Sequence, residues 1–166
     1  MKSNYRLRSI NVSNYSELEL NAIFDLNQLN TPEVGSLESL DYLKKLIGLS
    51  AYNLLVLKSE EIVGFIICMR EGSTYGSENY KFFTQRLKKF LYVDRVVVDE
   101  RHRRSGLGKA IYQDIFAYVN DKNLPIALEV NTEPVNQPSL KFHEKMGFEK
   151  VGSKDFDDHS VAYFLK

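Results

Sequence analysis

The sequence holds very little cysteine, since Cys68 is the only one in 166 residues. A single thiol excludes an internal disulfide and a zinc site built from several thiolates. The neighbouring residues 65–69 are apolar, so we expect Cys68 to be a buried strand residue rather than a reactive nucleophile.

The chain also lacks an excess of either charge and any long apolar run. Lys plus Arg equals Asp plus Glu at 22 each, so no overall field attracts nucleic acid or an anionic membrane. No apolar stretch approaches the roughly 20 residues of a membrane span, and residues 1–5 show no signal-peptide core. We therefore expect a cytoplasmic protein with neither a nucleic-acid partner nor a membrane partner.

The length fits one domain spanning residues 1–166, and no repeat, low-complexity tract or linker divides it. Apolar periodicity predicts the element order β-αα-βββ-α-β-α-ββ, a mixed α/β sheet with helices on both faces. The predicted strands are residues 5–12, 53–57, 62–69, 90–98, 125–130, 148–152 and 160–165. The predicted helices are residues 14–29, 36–49, 106–120 and 138–146, with a loop over 71–80 and a short helix over 81–88.

Two of these elements carry more detailed expectations. Asn14 or Ser16 should cap the first helix, which should turn the side chains Leu18, Ile23 and Leu26 inwards. The near-continuous apolar run over 90–98 predicts a central strand that is covered on both faces. On that strand Tyr92, Asp94 and Val96 are spaced by two, so we expect them to share a face.

The most informative segment, residues 96–110, passes from this strand through a basic loop into a helix. Helix starts expose unpaired N–H donors and the positive end of the helix dipole. Gly106 and Gly108 would let the backbone approach an anionic ligand closely. Local positive charge comes from Arg101, Arg103, Arg104 and Lys109. The segment therefore predicts a cradle for a pyrophosphate; the simpler alternative is a helix-capping glycine loop with solvated arginines.

Two other phosphate-binding motifs do not fit this segment. The P-loop requires Gly-Lys-Ser/Thr, but Ala110 follows Gly108-Lys109. The dinucleotide fingerprint requires three glycines, but Ile111 stands where the third would be.

The pattern Arg103-x-x-Gly106-x-Gly108 resembles the acyl-CoA signature of the GNAT acetyltransferases, Gln/Arg-x-x-Gly-x-Gly/Ala. Residues 140–148 resemble the family's late helix and its Gly-Phe strand entry, and the element order agrees. The resemblance implies a GNAT-like, mixed, largely antiparallel sheet with splayed central parallel strands and helices on both faces. It also implies an N-acetyltransferase that uses acetyl-CoA as cosubstrate, with direct attack by an amine of a small molecule or peptide.

The resemblance also implies where the cofactor binds. The backbone near Val96 and Val98 would pair with the pantetheine arm in the gap between the splayed strands, and amides in 103–109 would hold the pyrophosphate. Asn136 and Ser139 match positions that often contact the cofactor. The predicted cofactor-binding residues are Val96, Val97, Val98, Arg103, Arg104, Ser105, Gly106, Leu107, Gly108, Lys109, Asn136 and Ser139.

The chemistry requires a neutral amine, an oriented carbonyl and a proton for the departing thiolate. In the family the proton donor is often a Tyr on the late helix; here His143 takes that place, and its imidazole can act near neutral pH. His143 can equally be a polar residue at the helix edge. Asp94 is the predicted base, with an ion pair to Arg or Lys as its alternative, and Tyr92 and Glu129 are further candidates. We expect the N–H of Val98 to bind the carbonyl oxygen.

The acceptor is expected to lie against residues 27–34 and 72–83, the latter rich in hydroxyls, amides and aromatic rings. The same composition suits an ordinary surface loop. One alternative function is a non-catalytic acyl-CoA sensor. Another is a nucleic-acid or phosphopeptide binder that uses residues 101–109, which the zero net charge opposes. The family resemblance favours a homodimer.

Overall fold

The computed structural model describes residues 4–166. Residues 1–3, which carry part of the signal-peptide expectation, lie outside the described residues. The strands are β1 Tyr5–Ser9, β2 Tyr52–Lys58, β3 Glu61–Arg70, β4 Leu91–Val98, β5 Ile126–Glu133, β6 Glu149–Asp155 and β7 Ser160–Leu165. The helices are α1 Glu17–Gln28, α2 Leu40–Leu49, α3 Glu78–Thr84, α4 Leu107–Lys122 and α5 Gln137–Lys145. None of these helices combines the length and the apolar character that crossing a membrane requires.

The strands form one sheet in the order β1-β2-β3-β4-β5-β7-β6. The pair β4–β5 is parallel, and the other neighbouring pairs are antiparallel. Helices α1, α2 and α3 pack on one face over a first apolar cluster, and α4 and α5 pack on the other over a second. The predicted mixed, largely antiparallel sheet with helices on both faces is confirmed.

Local capping sets the ends of the helices on the first face. Ser16 accepts from the Glu19 N–H while the Glu19 carboxylate accepts from the Ser16 N–H, which is a capping box. This cap starts α1 at Glu17, and the apolar residues that the helix buries are Leu20, Ile23 and Leu26. The prediction that Leu18 faces the core is wrong, because its side chain is 84% exposed.

Several other boundaries differ from the predicted ones, among them the end of β1, which lies at Ser9 rather than at Val12. Helix α2 starts at Leu40 under a Ser39 cap, so residues 36–39 are not helical. Helix α3 begins at Glu78, inside the predicted loop, because the Ser77 hydroxyl accepts from the Tyr80 N–H. Strand β5 extends to Glu133 rather than ending near Val130.

A β-bulge at Asp94 changes which side chains of β4 share a face. Ile67 pairs with Arg95 and Cys68 pairs with Val93, so Asp94 is the extra residue. Tyr92 belongs to the apolar cluster under α1–α3, whereas Val96 packs against the cluster under α4 and α5. The prediction that Tyr92, Asp94 and Val96 share one face is therefore wrong for Val96.

Strands β4 and β5 part soon after they meet. They pair only at Leu91↔Ile126 and Tyr92↔Ala127, although both strands continue beyond these residues. The Asp99 N–H donates to Val63 of β3, and successive N–H groups of a strand point to opposite edges. The N–H groups of Val98 and Val96 therefore point into the gap. The predicted splay of the central parallel strands is confirmed.

Gly64 of β3 lets this strand lie close to the part of β4 whose opposite edge borders the gap. A Cβ on Gly64 would come within 2.7 Å of the Val97 carbonyl oxygen, which is backbone and cannot turn aside. We predict that Gly64→Ala lowers the free energy of unfolding by about 1–3 kcal/mol, the usual cost of overpacking. Urea denaturation measures this change. Gly76→Ala is the control, since its Cβ would meet nothing within 4 Å; equal stability of the two variants would contradict the prediction.

Candidate active site

The gap between β4 and β5 opens into a cavity of about 570 Å³, a volume typical of small-molecule sites. The loop from α1 to α2 contributes residues 31–36, and the segment before and within α3 contributes Tyr75, Ser77 and Asn79. Both predicted acceptor segments thus border the cavity. The turn between β6 and β7 adds Asp158 and His159, which sequence reasoning missed because that turn is remote in the chain.

Glu129 is the carboxylate at the centre of the gap on the α1–α3 face. Its neighbours Leu128 and Val130 point into the cluster under α4 and α5, so alternation directs Glu129 to the opposite face. There Oε2 accepts from the Tyr92 hydroxyl at 2.7 Å and Oε1 accepts from the Asn79 amide at 3.3 Å. Burial raises the pKa of Glu129 to about 8, and the negative charge of Asp94 adds to this rise.

Asp94 forms a buried ion pair, with only 5% of its side chain exposed. Its Oδ1 accepts from the Tyr75 hydroxyl at 2.6 Å, and its Oδ2 accepts from Arg95 Nε at 2.9 Å. The same guanidinium donates to Asn27 Oδ1 and to the Gly35 carbonyl. Both oxygens of Asp94 are thus occupied. Tyr75 ties Asp94 to the segment before α3, and Arg95 ties β4 to the end of α1 and the loop after it.

His143 lies on α5 and is 8% exposed. Its Nδ1 lies 2.8 Å from the Ser139 carbonyl oxygen, which can only accept, so Nδ1 carries the proton. Its Nε2 must then accept the hydrogen bond from the Tyr112 hydroxyl, 2.7 Å away. Burial lowers the pKa of His143, which favours this neutral imidazole. Both His143 and Tyr112 line the cavity.

The predicted pyrophosphate cradle has free donors at the start of α4. Gly106 caps the helix with a left-handed φ of 82° and without a side-chain hydrogen bond. The first backbone bond of the helix runs from Ala110 to Gly106, so the amides just before Ala110 remain free of that ladder. The donors and the open surface fit a diphosphate.

The basic and polar side chains of the cradle divide into two groups. Arg103 turns away from it, with its guanidinium on Asn30 Oδ1 and the Val98 carbonyl, and its own N–H donates to Glu100. Exposed residues near the helix start are Arg104, Ser105 and Lys109. Among the described residues, neither Arg104 nor Lys109 forms an ion pair.

The remaining predicted cofactor residues contribute mainly through their backbone. Val97 and Leu107 are buried in the two apolar clusters, so only their main chains can reach a ligand. Gly108 packs beside the Phe142 ring. Asn136 caps α5 by accepting from the Ser139 N–H, and both residues border the cavity.

Tyr112 is a further site residue that sequence reasoning missed, and the contact of Tyr75 with Asp94 was not foreseen either. Tyr112 lies beside Ile111 in the buried stripe of α4, where it reads as an ordinary core aromatic. The available signal was its hydroxyl, since a phenol on a buried helix face needs a hydrogen-bond partner. Tyr75 lies in a loop, and no periodic pattern directs its side chain to Asp94.

Several solved structures share this fold although their sequences differ widely from that of this chain. The ribosomal-protein-S18-alanine N-acetyltransferase from Escherichia coli superposes with a TM-score of 0.70 at 14% sequence identity. The superposition covers 97% of this chain and 92% of that one. Arabidopsis thaliana NAA60 in complex with acetyl-CoA superposes with a TM-score of 0.72 at 16% sequence identity. The superposition covers 98% of this chain and 97% of that one. Arabidopsis thaliana Naa50 in complex with the bisubstrate analogue CoA-Ac-MVNAL gives 0.71 at 19%, with 98% of each chain covered. No curated protein sequence matches.

At these identities the structural likeness establishes the fold, and the sequence itself establishes the family. The family described as "Acetyltransferase (GNAT) family" matches residues 20–148. That match spans most of the sheet, the glycine loop and the helix that carries His143. This chain belongs to the GNAT acetyltransferase family.

Proposed function

We propose that this chain is an N-acetyltransferase that moves an acetyl group from acetyl-CoA to an amine of a small molecule or peptide by direct attack. The observation that carries the proposal is the splayed gap, which has free strand amides on one side and the Glu129 carboxylate on the other. Family membership supports acetyl transfer. The acetyl-CoA in the NAA60 structure and the bisubstrate analogue in the Naa50 structure support acetyl-CoA as the cosubstrate.

Bound acetyl-CoA would supply an already activated thioester, so the protein has to bind, orient and deprotonate. The N–H groups of Val96 and Val98 would pair with polar groups of an extended ligand in the gap, as a neighbouring strand would. One of them, that of Val98, would polarise the acetyl carbonyl. The amides at the start of α4, with Arg104 and Lys109 nearby, would hold the pyrophosphate.

Glu129 would accept the proton of the attacking amine. An alkylamine has a pKa near 10.4, so forming its neutral state at pH 7 costs roughly 4–5 kcal/mol. A carboxylate whose pKa is about 8 is a stronger base than an ordinary one, and the proton transfer from the ammonium is correspondingly less uphill. The Tyr92 hydroxyl and the Asn79 amide hold the carboxylate in a fixed orientation.

Asp94, the base predicted from the sequence, suits a positioning role better. Arg95 and Tyr75 occupy its two oxygens, so neither oxygen is open to an incoming amine. Through Arg95 it also holds Asn27 and Gly35 beside the cavity. Asp94 would therefore shape the wall that contacts the acceptor.

Two solved neighbours support a peptide acceptor in particular. One is the ribosomal-protein-S18-alanine N-acetyltransferase, and the other, Naa50, is in complex with the bisubstrate analogue CoA-Ac-MVNAL. A small-molecule amine fits the same cavity volume. A homodimer and a cytoplasmic location stay predictions.

We predict that Gly106→Asp weakens acetyl-CoA binding at least about tenfold, because a carboxylate then faces the diphosphate at the helix start. Isothermal titration calorimetry measures the affinity, with dephospho-CoA and NAD titrated in parallel. Gly72→Asp is the matched control, since Gly72 has a φ of 80° against 82° for Gly106 and each has open space around it. Both variants then carry the same backbone strain, and only Gly106→Asp alters the cradle.

Wild-type protein that binds no acetyl-CoA in this titration would contradict the proposed function. Tight binding with no thiol release across a panel of amines and peptides would favour the acyl-CoA sensor instead. Equal affinities of Gly106→Asp and Gly72→Asp would place the diphosphate elsewhere.

We predict that Glu129→Gln lowers kcat by about 10²- to 10⁴-fold, the usual contribution of a general base. In the wild type kcat should rise with pH and level off above about 8, where Glu129 is ionised. Thiol release from acetyl-CoA over a pH series measures both effects. The control is Glu133→Gln, an exposed carboxylate on the same strand. If Asp94→Asn loses the rise of kcat with pH and Glu129→Gln keeps it, the base is Asp94.

The raised pKa of Glu129 also predicts how stability depends on pH. Between its ordinary value of 4.5 and about 8, the folded protein holds a proton that the unfolded chain releases. The stabilisation is complete below 4.5 and is lost as the pH rises through 8, by up to about 1.4 kcal/mol per pH unit. Urea unfolding of wild type and Glu129→Gln at several pH values should show this slope in the wild type alone. If the free energy of unfolding depends on pH in the same way in both proteins, the carboxyl group of Glu129 has an ordinary pKa.

A further inference from the structure

Tyr112 and His143 face the same gap as Glu129 from the other side of the sheet. Tyr112 belongs to the apolar cluster under α4 and α5, whereas Tyr92, the partner of Glu129, belongs to the cluster under α1–α3. Tyr112, His143 and Glu129 all line one cavity, which therefore passes between β4 and β5. If the acceptor approaches from the Glu129 side of the gap, the departing CoA thiolate lies on the Tyr112 side.

His143 has no free proton to offer to that departing group. Its single N–H is on Nδ1 and is directed to the Ser139 carbonyl. Its Nε2 is the acceptor for the Tyr112 hydroxyl. Burial lowers the pKa of His143, so a second proton on Nε2 is disfavoured.

We propose that the Tyr112 hydroxyl donates the hydrogen bond that stabilises the departing CoA thiolate, and that His143 is a positioning residue that holds this hydroxyl at the gap. The inference rests on the proposed transfer from acetyl-CoA. The amine, made neutral by giving its ammonium proton to Glu129, forms its bond to the acetyl carbon. The C–S bond breaks with its electron pair on sulfur, and the proton that the nitrogen then sheds passes to water. Tyr112 keeps its own proton, and the thiolate is protonated by water on release.

The competition between His143 and the sulfur makes this donor selective for the transition state. A phenolic O–H turns freely about its C–O bond, so it can point to Nε2 or to a sulfur in the gap. A thioester sulfur is a weak acceptor and leaves the hydroxyl on His143. A developing thiolate accepts a charge-assisted hydrogen bond, about twice as strong as a neutral one, and draws the hydroxyl away. An interaction gained only as charge develops accelerates the chemical step.

The surroundings of Tyr112 support a donor that stays protonated. Tyr112 is 2% exposed, and its ring lies edge-on to the rings of Phe142, His143 and Phe148 at centroid distances of 5.3–5.8 Å. Burial raises the pKa of Tyr112 above its ordinary value. The hydroxyl therefore remains a donor over the whole working range of pH.

The test compares Tyr112→Phe with Tyr118→Phe on the same helix. Tyr118 stacks on Tyr52 and does not line the cavity. We expect Tyr112→Phe to lower kcat about 10²- to 10³-fold, as for loss of one transition-state donor, with little change in KM. We expect Tyr118→Phe to match the wild type.

A second readout follows the thiol of bound CoA through the ultraviolet absorbance of its thiolate. The thiol pKa, about 8.5 when free, should be lower in the wild-type complex than in the Tyr112→Phe complex. Cys68 is the only protein thiol, and burial raises its pKa well above the ordinary range, so the signal comes from CoA. Desulfo-CoA should bind both proteins equally, which also shows that Tyr112→Phe is folded.

His143→Gln separates the two roles. A glutamine oxygen can still accept from Tyr112, so this variant should keep a kcat within about tenfold of the wild type and the low thiol pKa. If His143→Gln loses both the turnover and the low thiol pKa while Tyr112→Phe keeps them, His143 is the donor. The assignment of Tyr112 is then overturned. Turnover and a thiol pKa that do not change in Tyr112→Phe overturn it too. Wild-type protein that binds no acetyl-CoA overturns the proposed function itself.

Discussion

The site depends on the early parting of β4 and β5 after two residue pairs. Strand amides inside a protein are costly to leave without partners, so a gap of this kind favours a polar, extended occupant. The bulge at Asp94 lies where the pairing ends, and bulges bend a strand and redirect its side chains. The same irregularity thus opens the cavity and places Asp94 and Arg95 on the face that carries Glu129.

Two neighbouring carboxylates acquire different properties because their partners differ. Asp94 is held by a guanidinium and a phenol, which occupy both of its oxygens. Glu129 has only a phenol and an amide, and burial and the charge of Asp94 raise its pKa. The two carboxylates therefore suit different proposed roles, Asp94 in the wall of the cavity and Glu129 in proton transfer.

Features that depend on neighbouring residues in the chain could be predicted from the sequence. The central strand and the glycine turn into α4 at Gly106 are local, because the strand, the turn and the helix start follow one another directly along the chain. Features that depend on pairing could not. The bulge arises from the register between β3 and β4, and a period of two along β4 gives no sign of it. Leu18 was misplaced for a different reason, since at 100° per residue it lies about 140° around α1 from Ile23 and so outside the buried stripe.

The pair of Tyr112 and His143 shows why a residue's role cannot be carried over by its position in the chain alone. The resemblance placed a proton donor on the late helix, and His143 stands there with its N–H directed to its own helix. A phenol reaches the same point from α4, with its oxygen 2.7 Å from His143 Nε2. Chemistry constrains where a donor lies in space and leaves open which helix supplies it. A helix that starts at the pyrophosphate cradle can therefore also present the donor to the thiolate, since Gly106 and Tyr112 lie fewer than two turns apart along it.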